Sequence, residues 1–136
     1  MKKINQKAAQ VFNTLLDKMN GEDYLKLDNS EGSFMPVSIE RLSTDISFGP
    51  IQIDIYSLTH YFKQNGDLVP DPDMTFAISR ADSNAIWPFS FQDQFGYQES
   101  IYKDSVGTWK IKKRIQHDHA SFAGMWLQNI KQQQNI

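Results

Sequence analysis

Asp67, Asp71 and Asp73 lie within one short stretch and are the first residues of this chain whose type and spacing suggest chemistry. Three carboxylates are the oxygen ligands that hard cations such as Ca²⁺ and Mg²⁺ prefer. Their spacing is not that of an EF-hand, which alternates its ligands and ends on a bidentate glutamate. Turn chemistry accounts for the same residues. Asn65-Gly66 supplies positive φ, aspartates bond their own turn backbone, and Asp71-Pro72-Asp73 reads as a turn setting the re-entry into a following strand. A second group is His60 with His117, Asp118 and His119, the composition of a zinc or general-base site. His117 and His119 are two positions apart, however, and on a helix they point to different sides, whereas helical zinc pairs use i and i+4. His119 is expected in the first turn of the last helix and His60 near a strand end.

The third candidate is the basic run Trp109-Lys110-Ile111-Lys112-Lys113-Arg114. Its four cations fit phosphates, and Trp109 could stack on a base or anchor a protein. With Trp109, Ile111 and Ile115 buried, the same run is a solvated face whose lysine stems cover apolar surface. Other chemistries have no carrier. There is no cysteine among the 136 residues, which removes thiol catalysis, Cys-ligated zinc and redox switching. Neither G-x-S-x-G, nor a P-loop, nor G-x-G-x-x-G occurs. Pairs such as Glu40 with Asp67 could meet across strands as acid and base, a signal of low specificity in a chain with 16 acidic residues.

The elements that position these residues are legible from periodicity. A chain of this length and 40% hydrophobic content is expected to form one domain over residues 1–136 with one core. Ile4, Ala8, Val11, Phe12, Leu15, Leu16 and Met19 recur at helical spacing, and Asn20-Gly21 ends that helix. The middle reads in period two: Met35, Val37 and Ile39; Ile51, Ile53 and Ile55; Met74, Phe76 and Ile78; Trp87, Phe89 and Phe91. After Ile55 the apolar set shifts to Tyr56, Leu58 and Phe62, which a bulge or strand end near Ser57 would explain. Pro88 favours an edge position for its strand, and residues 97–103 read as one more strand. Turn signals stand at Asn29-Ser30-Glu31-Gly32, Phe48-Gly49-Pro50, Asn65-Gly66-Asp67 and Asp82-Ser83-Asn84. Connections this short hold no crossover helices, so the sheet is expected to be a mainly antiparallel meander. Phe122, Ala123, Trp126, Leu127 and Ile130 form a last helix, capped by Asp118 or Ser121, with Gln132, Gln133, Gln134 and Asn135 fraying. The expected architecture is α+β: an N-terminal helix, four to six strands and a C-terminal helix, with both helices on one sheet face.

Charge is unevenly spread. The formal total is −2, yet residues 1–20 carry +3, residues 105–136 carry +4 and the middle carries −9. Such asymmetry bears on association rather than fold. The acidic middle as a nucleic-acid mimic is a weaker reading, because Arg41, Lys63 and Arg80 interrupt it. No stretch is apolar enough to span a membrane, and Asn5, Gln6, Lys7 and Gln10 break any signal-peptide core after Met1-Lys2-Lys3, so a cytoplasmic protein is expected. Trp87, Phe89, Phe91, Phe95 and Tyr97 surround Gln92-Asp93-Gln94; where the far sheet face is uncovered, some of them would form an interface.

Several of these runs resemble an uncharacterised domain family encoded mostly on bacterial integrative and conjugative elements and phages. The resemblance rests on Phe34-Met35-Pro36-Val37, Ile39-Glu40-Arg41-Leu42, His60-Tyr61, Asn65-Gly66-Asp67-Leu68 and Asp71-Pro72-Asp73-Met74-Thr75-Phe76. Further on it includes Gln92-Asp93, Gly96-Tyr97-Gln98-Glu99, Phe122-Ala123, Trp126-Leu127 and Asn129. Phe62 stands where a second tyrosine is common and Val69 where methionine is common. The resemblance implies a mobile-element context and no reaction. Taken with the residues, it points to a small accessory domain without catalytic machinery or cofactor that binds a protein partner or another copy of itself. Nucleic-acid binding through the basic ends, and metal-dependent hydrolysis at an Asp/His site, are the alternatives. The candidate binding residues are Asp67, Asp71, Asp73, Trp109, Lys110, Lys112, Lys113 and Arg114; no catalytic residue or metal ligand is assigned.

Overall fold

Asn5 starts the first helix in place of the expected Ile4: its side chain accepts from the Ala8 N–H at 2.8 Å, satisfying one of the donors a helix start leaves free. Helix α1 (Gln6–Met19) ends on Asn20, whose left-handed φ of 51° closes it as its residue type predicts. The computed structural model describes residues 1–29 and 35–136. Beyond Asn29, the turn expected over Asn29–Gly32, like Phe34, lies outside the described residues.

Six strands follow in sequential order, each antiparallel to the next: β1 (Tyr24–Leu27), β2 (Val37–Phe48), β3 (Ile51–Gln64), β4 (Asp67–Ser79), β5 (Ile86–Asp93) and β6 (Gly96–Glu99). The Asn65-Gly66 turn has φ of 53° and 87°, the doubly positive geometry of a two-residue hairpin, which is why this dipeptide is needed there. The chain then forms a separate two-stranded ribbon, β7 (Ile101–Lys103) with β8 (Trp109–Ile111), and ends in α2 (Lys113–Gln134). Both helices cover one face of the sheet, over a core that includes Phe12, Leu15, Ile39, Leu58, Met74, Phe76, Trp126 and Leu127. Gly124 is the point where α2 meets the start of α1; a Cβ there would stand 2.6 Å from Asn5 Nδ2.

Several expectations are corrected. The parity change after Ile55 is neither a bulge in β3 nor its end. β3 runs unbroken to Gln64, with Ile53 facing a second core and Tyr56 and Leu58 facing the helices. That second core lies on the opposite sheet face under the ribbon, where Ile53, Ala77, Trp87 and Phe89 meet Ile101 and Trp109. The bulges lie elsewhere, chiefly in β2 between Arg41 and Ser43 and between Ser43 and Ile46. Asp71-Pro72-Asp73 is not a turn between strands but an irregularity inside β4, with a cis Asp71–Pro72 peptide. β5 is an inner strand of the sheet, but β6 pairs with it only from Ser90 to Asp93, so Pro88 keeps an edge position locally, at a register shift where β4 alone is laddered to it. The expected strand over 97–103 breaks at Ser100 into β6 and β7.

α2 begins at Lys113, well before Asp118 and Ser121, which lie inside the helix and cap nothing. The reason is that two polar residues occupy its buried stripe. Gln116 is 0% exposed and His119 is 5% exposed. Gln116 bonds both ways to the Lys2 backbone, at 2.7 Å in each direction, so a buried amide fills a position that a hydropathy pattern would require to be apolar. Nor does the C-terminal glutamine run fray. Gln134 is buried, accepting from Asn29 N–H and donating to Met35 O, both at 3.1 Å. Among the described residues no helix is long and apolar enough to cross a membrane.

Candidate functional site

Pairing registers assemble a belt across all six strands. The inward row is Leu25, Ile39, Leu58, Met74, Phe91 and Gln98, each directly opposite the next and facing the helices. On either side of it, pointing to the other face, stand two outward rows. One is Tyr24, Glu40, Ser57, Thr75, Ser90 and Glu99; the other is Lys26, Ser38, Thr59, Asp73, Gln92 and Tyr97. All of these outward residues are polar or tyrosine. The register shifts fall outside the belt, so the alternation holds from one edge to the other.

The belt is internally bonded. Tyr24 and Ser38 share a hydroxyl bond of 2.9 Å, and Thr75 and Ser90 one of 2.5 Å. Ser38, Thr59 and Ser90 are buried beneath their taller neighbours, while Tyr24 and Tyr97 are 53% and 56% exposed at opposite sides. Burial pushes the Asp73 carboxyl above its usual range, the neighbouring Thr59 hydroxyl works against this, and Glu40 adds to it. Burial likewise raises the Tyr61 phenol, with Tyr24, Asp73 and Glu40 contributing, which places Tyr61 beside the same group. The arrangement offers hydroxyls, amide, carboxylates and aromatic rings to whatever lies against it.

Of the three aspartates singled out in the sequence, only Asp73 belongs to this face. Asp71 has a different set of neighbours: burial raises its pKa, Asp93 adds to the rise and His60 opposes it. Asp67 opens β4 opposite Gln64 at the hairpin tip. Glu40 stands on the same face as Asp73, in the neighbouring row and two strands away, close enough to raise its pKa, while Asp67 lies at the hairpin tip. Among the described residues no three of His, Asp or Glu gather as a metal site.

The histidines separate as their spacing implies, His117 outward and His119 inward, although His119 sits in the second turn of α2, stacked on Phe91 at 5.5 Å and 3.3 Å from Gln98 Oε1. His60 bonds Met35 O at 3.2 Å. Desolvation lowers the pKa of both His60 and His119, opposed by Met35 and Asp71 at His60 and by Asp118 at His119. The folded state therefore takes up these protons later than the unfolded chain does. Stability falls as pH drops through the ordinary imidazole value of about 6.5 and is unaffected by these groups well above it. Urea midpoints should decline from about pH 7.5 to about pH 5.5, and a folded His60→Gln/His119→Gln variant should show a flatter profile. A wild-type midpoint that rises over this interval contradicts the assignment.

The basic run divides. Trp109 is a core residue of the ribbon, 4.8 Å from Phe48 and 5.6 Å from Phe89, with its indole N–H donated to Ser47 O at 3.1 Å. Lys110, Lys112, Lys113 and Arg114 are exposed, and Lys112 lies 5.4 Å from the Tyr102 ring. Of the aromatic patch, Trp87 and Phe89 are in the second core and Phe91 is under α2; Phe95, 86% exposed, and Tyr97 are the open members.

A family model described as a domain of unknown function, DUF6908, matches residues 6–136. The chain belongs to this family. The matched span of the DUF6908 domain begins at the first residue of α1 and takes in both helices, the sheet, the ribbon and both outward rows. No curated protein matches the chain, and no solved structure does. The outward rows escape a sequence reading because their members come from six separate strands; the only local signal is the set of polar alternates Ser38, Glu40, Ser57, Thr59, Asp73 and Thr75.

Proposed function

We propose that this DUF6908 chain is a non-catalytic accessory domain, one α+β unit over residues 1–136, that serves a bacterial mobile genetic element in the cytoplasm by contacting a protein partner through its open sheet face. What supports this reading is the pair of outward rows. The ribbon covers one end of this face; the belt beside it, which no element among the described residues covers, is set with tyrosines and hydroxyls and ringed by charge, the composition of a protein contact surface. Glu40 and Ser57 are cross-strand partners on this face and lie outside the cores, so Glu40→Arg with Ser57→Arg blocks the face, and a cooperative urea transition checks that the variant remains folded despite the paired like charges. Proteins that co-purify with the tagged chain from its native cells should be lost from that variant and kept by Lys112→Glu/Lys113→Glu. The reverse pattern would remove the reading.

One observation favours nucleic acid as a second reading. Lys2 is bonded to Gln116 through its backbone and lies 3.4 Å from Ser121 through its ammonium, so the two basic ends of the chain adjoin in space. Under this reading, heparin or duplex DNA is retained with a steep salt dependence that disappears in Lys112→Glu/Lys113→Glu. No retention at low salt excludes it.

A further inference from the structure

We infer that the open sheet face receives an extended, arginine-rich segment of its partner, laid across the strands between Tyr24 and Tyr97. This rests on the face being the working surface, and adds what the occupant is made of. Charge comes first. The face carries Glu40, Asp73 and Glu99 against a single described cation, Lys26, at its β1 corner. The ion pairs among the described residues, Arg41–Asp23 and Arg80–Asp54, include none of those carboxylates. Asp73 is half-buried and none of the ion pairs among the described residues reaches it, so an arriving cation would offset the cost of burying its charge.

Shape comes second. Five strand spacings of about 4.8 Å put β1 and β6 about 24 Å apart, the reach of about seven residues of extended chain. Between the tyrosines the floor is made of the short side chains of Ser57, Thr59, Thr75 and Ser90, of which Thr59 and Ser90 are buried and Ser57 and Thr75 are partly exposed, so that a peptide backbone can lie low across them and reach the latter two hydroxyls. Tyr24, Tyr61 and Tyr97 supply ring faces, and a planar guanidinium pairs with a carboxylate on one side while stacking on a ring on the other, which an ammonium does less well. An apolar helix finds nothing in these rows to bury against, and a nucleic acid meets three like charges.

The test uses the whole chain and a labelled heptapeptide of alternating Arg and Ser, with analogues carrying Gln or Glu in place of Arg, followed by fluorescence anisotropy. The Arg peptide should bind, the Gln and Glu analogues should not, and Glu40→Gln/Asp73→Asn should weaken binding at least about tenfold, as expected for loss of two charge-assisted contacts. The control, Asp17→Asn/Glu22→Gln, makes the same charge change at the exposed end of α1 and should leave affinity within about twofold. Equal weakening by both double variants would mean the peptide reads net charge alone and overturns the proposal, as would absence of binding. Sedimentation of the chain alone should give a monomer; a dimer lost in Glu40→Arg/Ser57→Arg would put a second copy on the face instead. If the Arg peptide does not bind while the native partner is still lost from Glu40→Arg/Ser57→Arg, the occupant is wrong and the working surface stands; if the partner is kept too, both are wrong.

Discussion

Trp126→Ala lowers the stability of the fold by about 3–5 kcal/mol, measured by urea unfolding, because it empties the space beneath the last helix. Trp126 is 4% exposed and belongs to the main core. Its ring lies 6.0 Å from Phe122 and 6.4 Å from His60, and its indole N–H points at His60 Nδ1 from 3.5 Å. Whole-domain stability is of order 5–15 kcal/mol, so a loss of this size takes a large fraction of it. Trp126→Phe keeps most of the buried area and should cost markedly less. A midpoint for Trp126→Ala near wild type would show that α2 does not seal the sheet.

Trp109→Ala should cost about 2–3 kcal/mol, less than Trp126→Ala because the ring is only partly covered. Its edge-to-face contacts with Phe48 and Phe89, the bond to Ser47 O and the Lys103 ammonium 5.0 Å from the ring fasten the ribbon over the second core. The same variant separates two roles for this residue. As a core residue, its removal lowers the urea midpoint and leaves any salt-dependent heparin retention unchanged. A base-stacking residue would do the opposite, losing nucleic acid with the midpoint intact.

Particular elements explain why some features could be read early. The α1 stripe repeats without interruption, so the helix followed from period and its end from Asn20-Gly21, while its start shifted to the Asn5 cap; the Asn65-Gly66 hairpin followed from the φ values those residues accept. Periodicity places the start of α2 at a cap on Asp118 or Ser121, past its true start at Lys113, because Gln116 and His119 hold inward positions as bonded or stacked polar groups and a count of apolar residues passes over them. β3 changes which of its faces is apolar at mid-length because different layers cover its two ends. A period-two reading sees that only as a shift in parity. The cationic run looked continuous in sequence, but its tryptophan packs inward while its lysines face water.

By itself, then, the order of residues determined an α+β domain-family fold: two amphipathic end helices, and short-linked strands that had to pair as an antiparallel meander. Tertiary structure alone decided which polar alternates become neighbours. Local periodicity tells each strand which side chains face out, but lateral neighbours depend on register, and register is chosen by where β2, β4 and β5 admit their extra residues and by the burial of Leu25, Ile39, Leu58, Met74 and Phe91 in one line beneath the helices. Once that apolar line is buried, Glu40, Asp73 and the tyrosines are carried together on the other face, a juxtaposition no local stretch of the chain encodes.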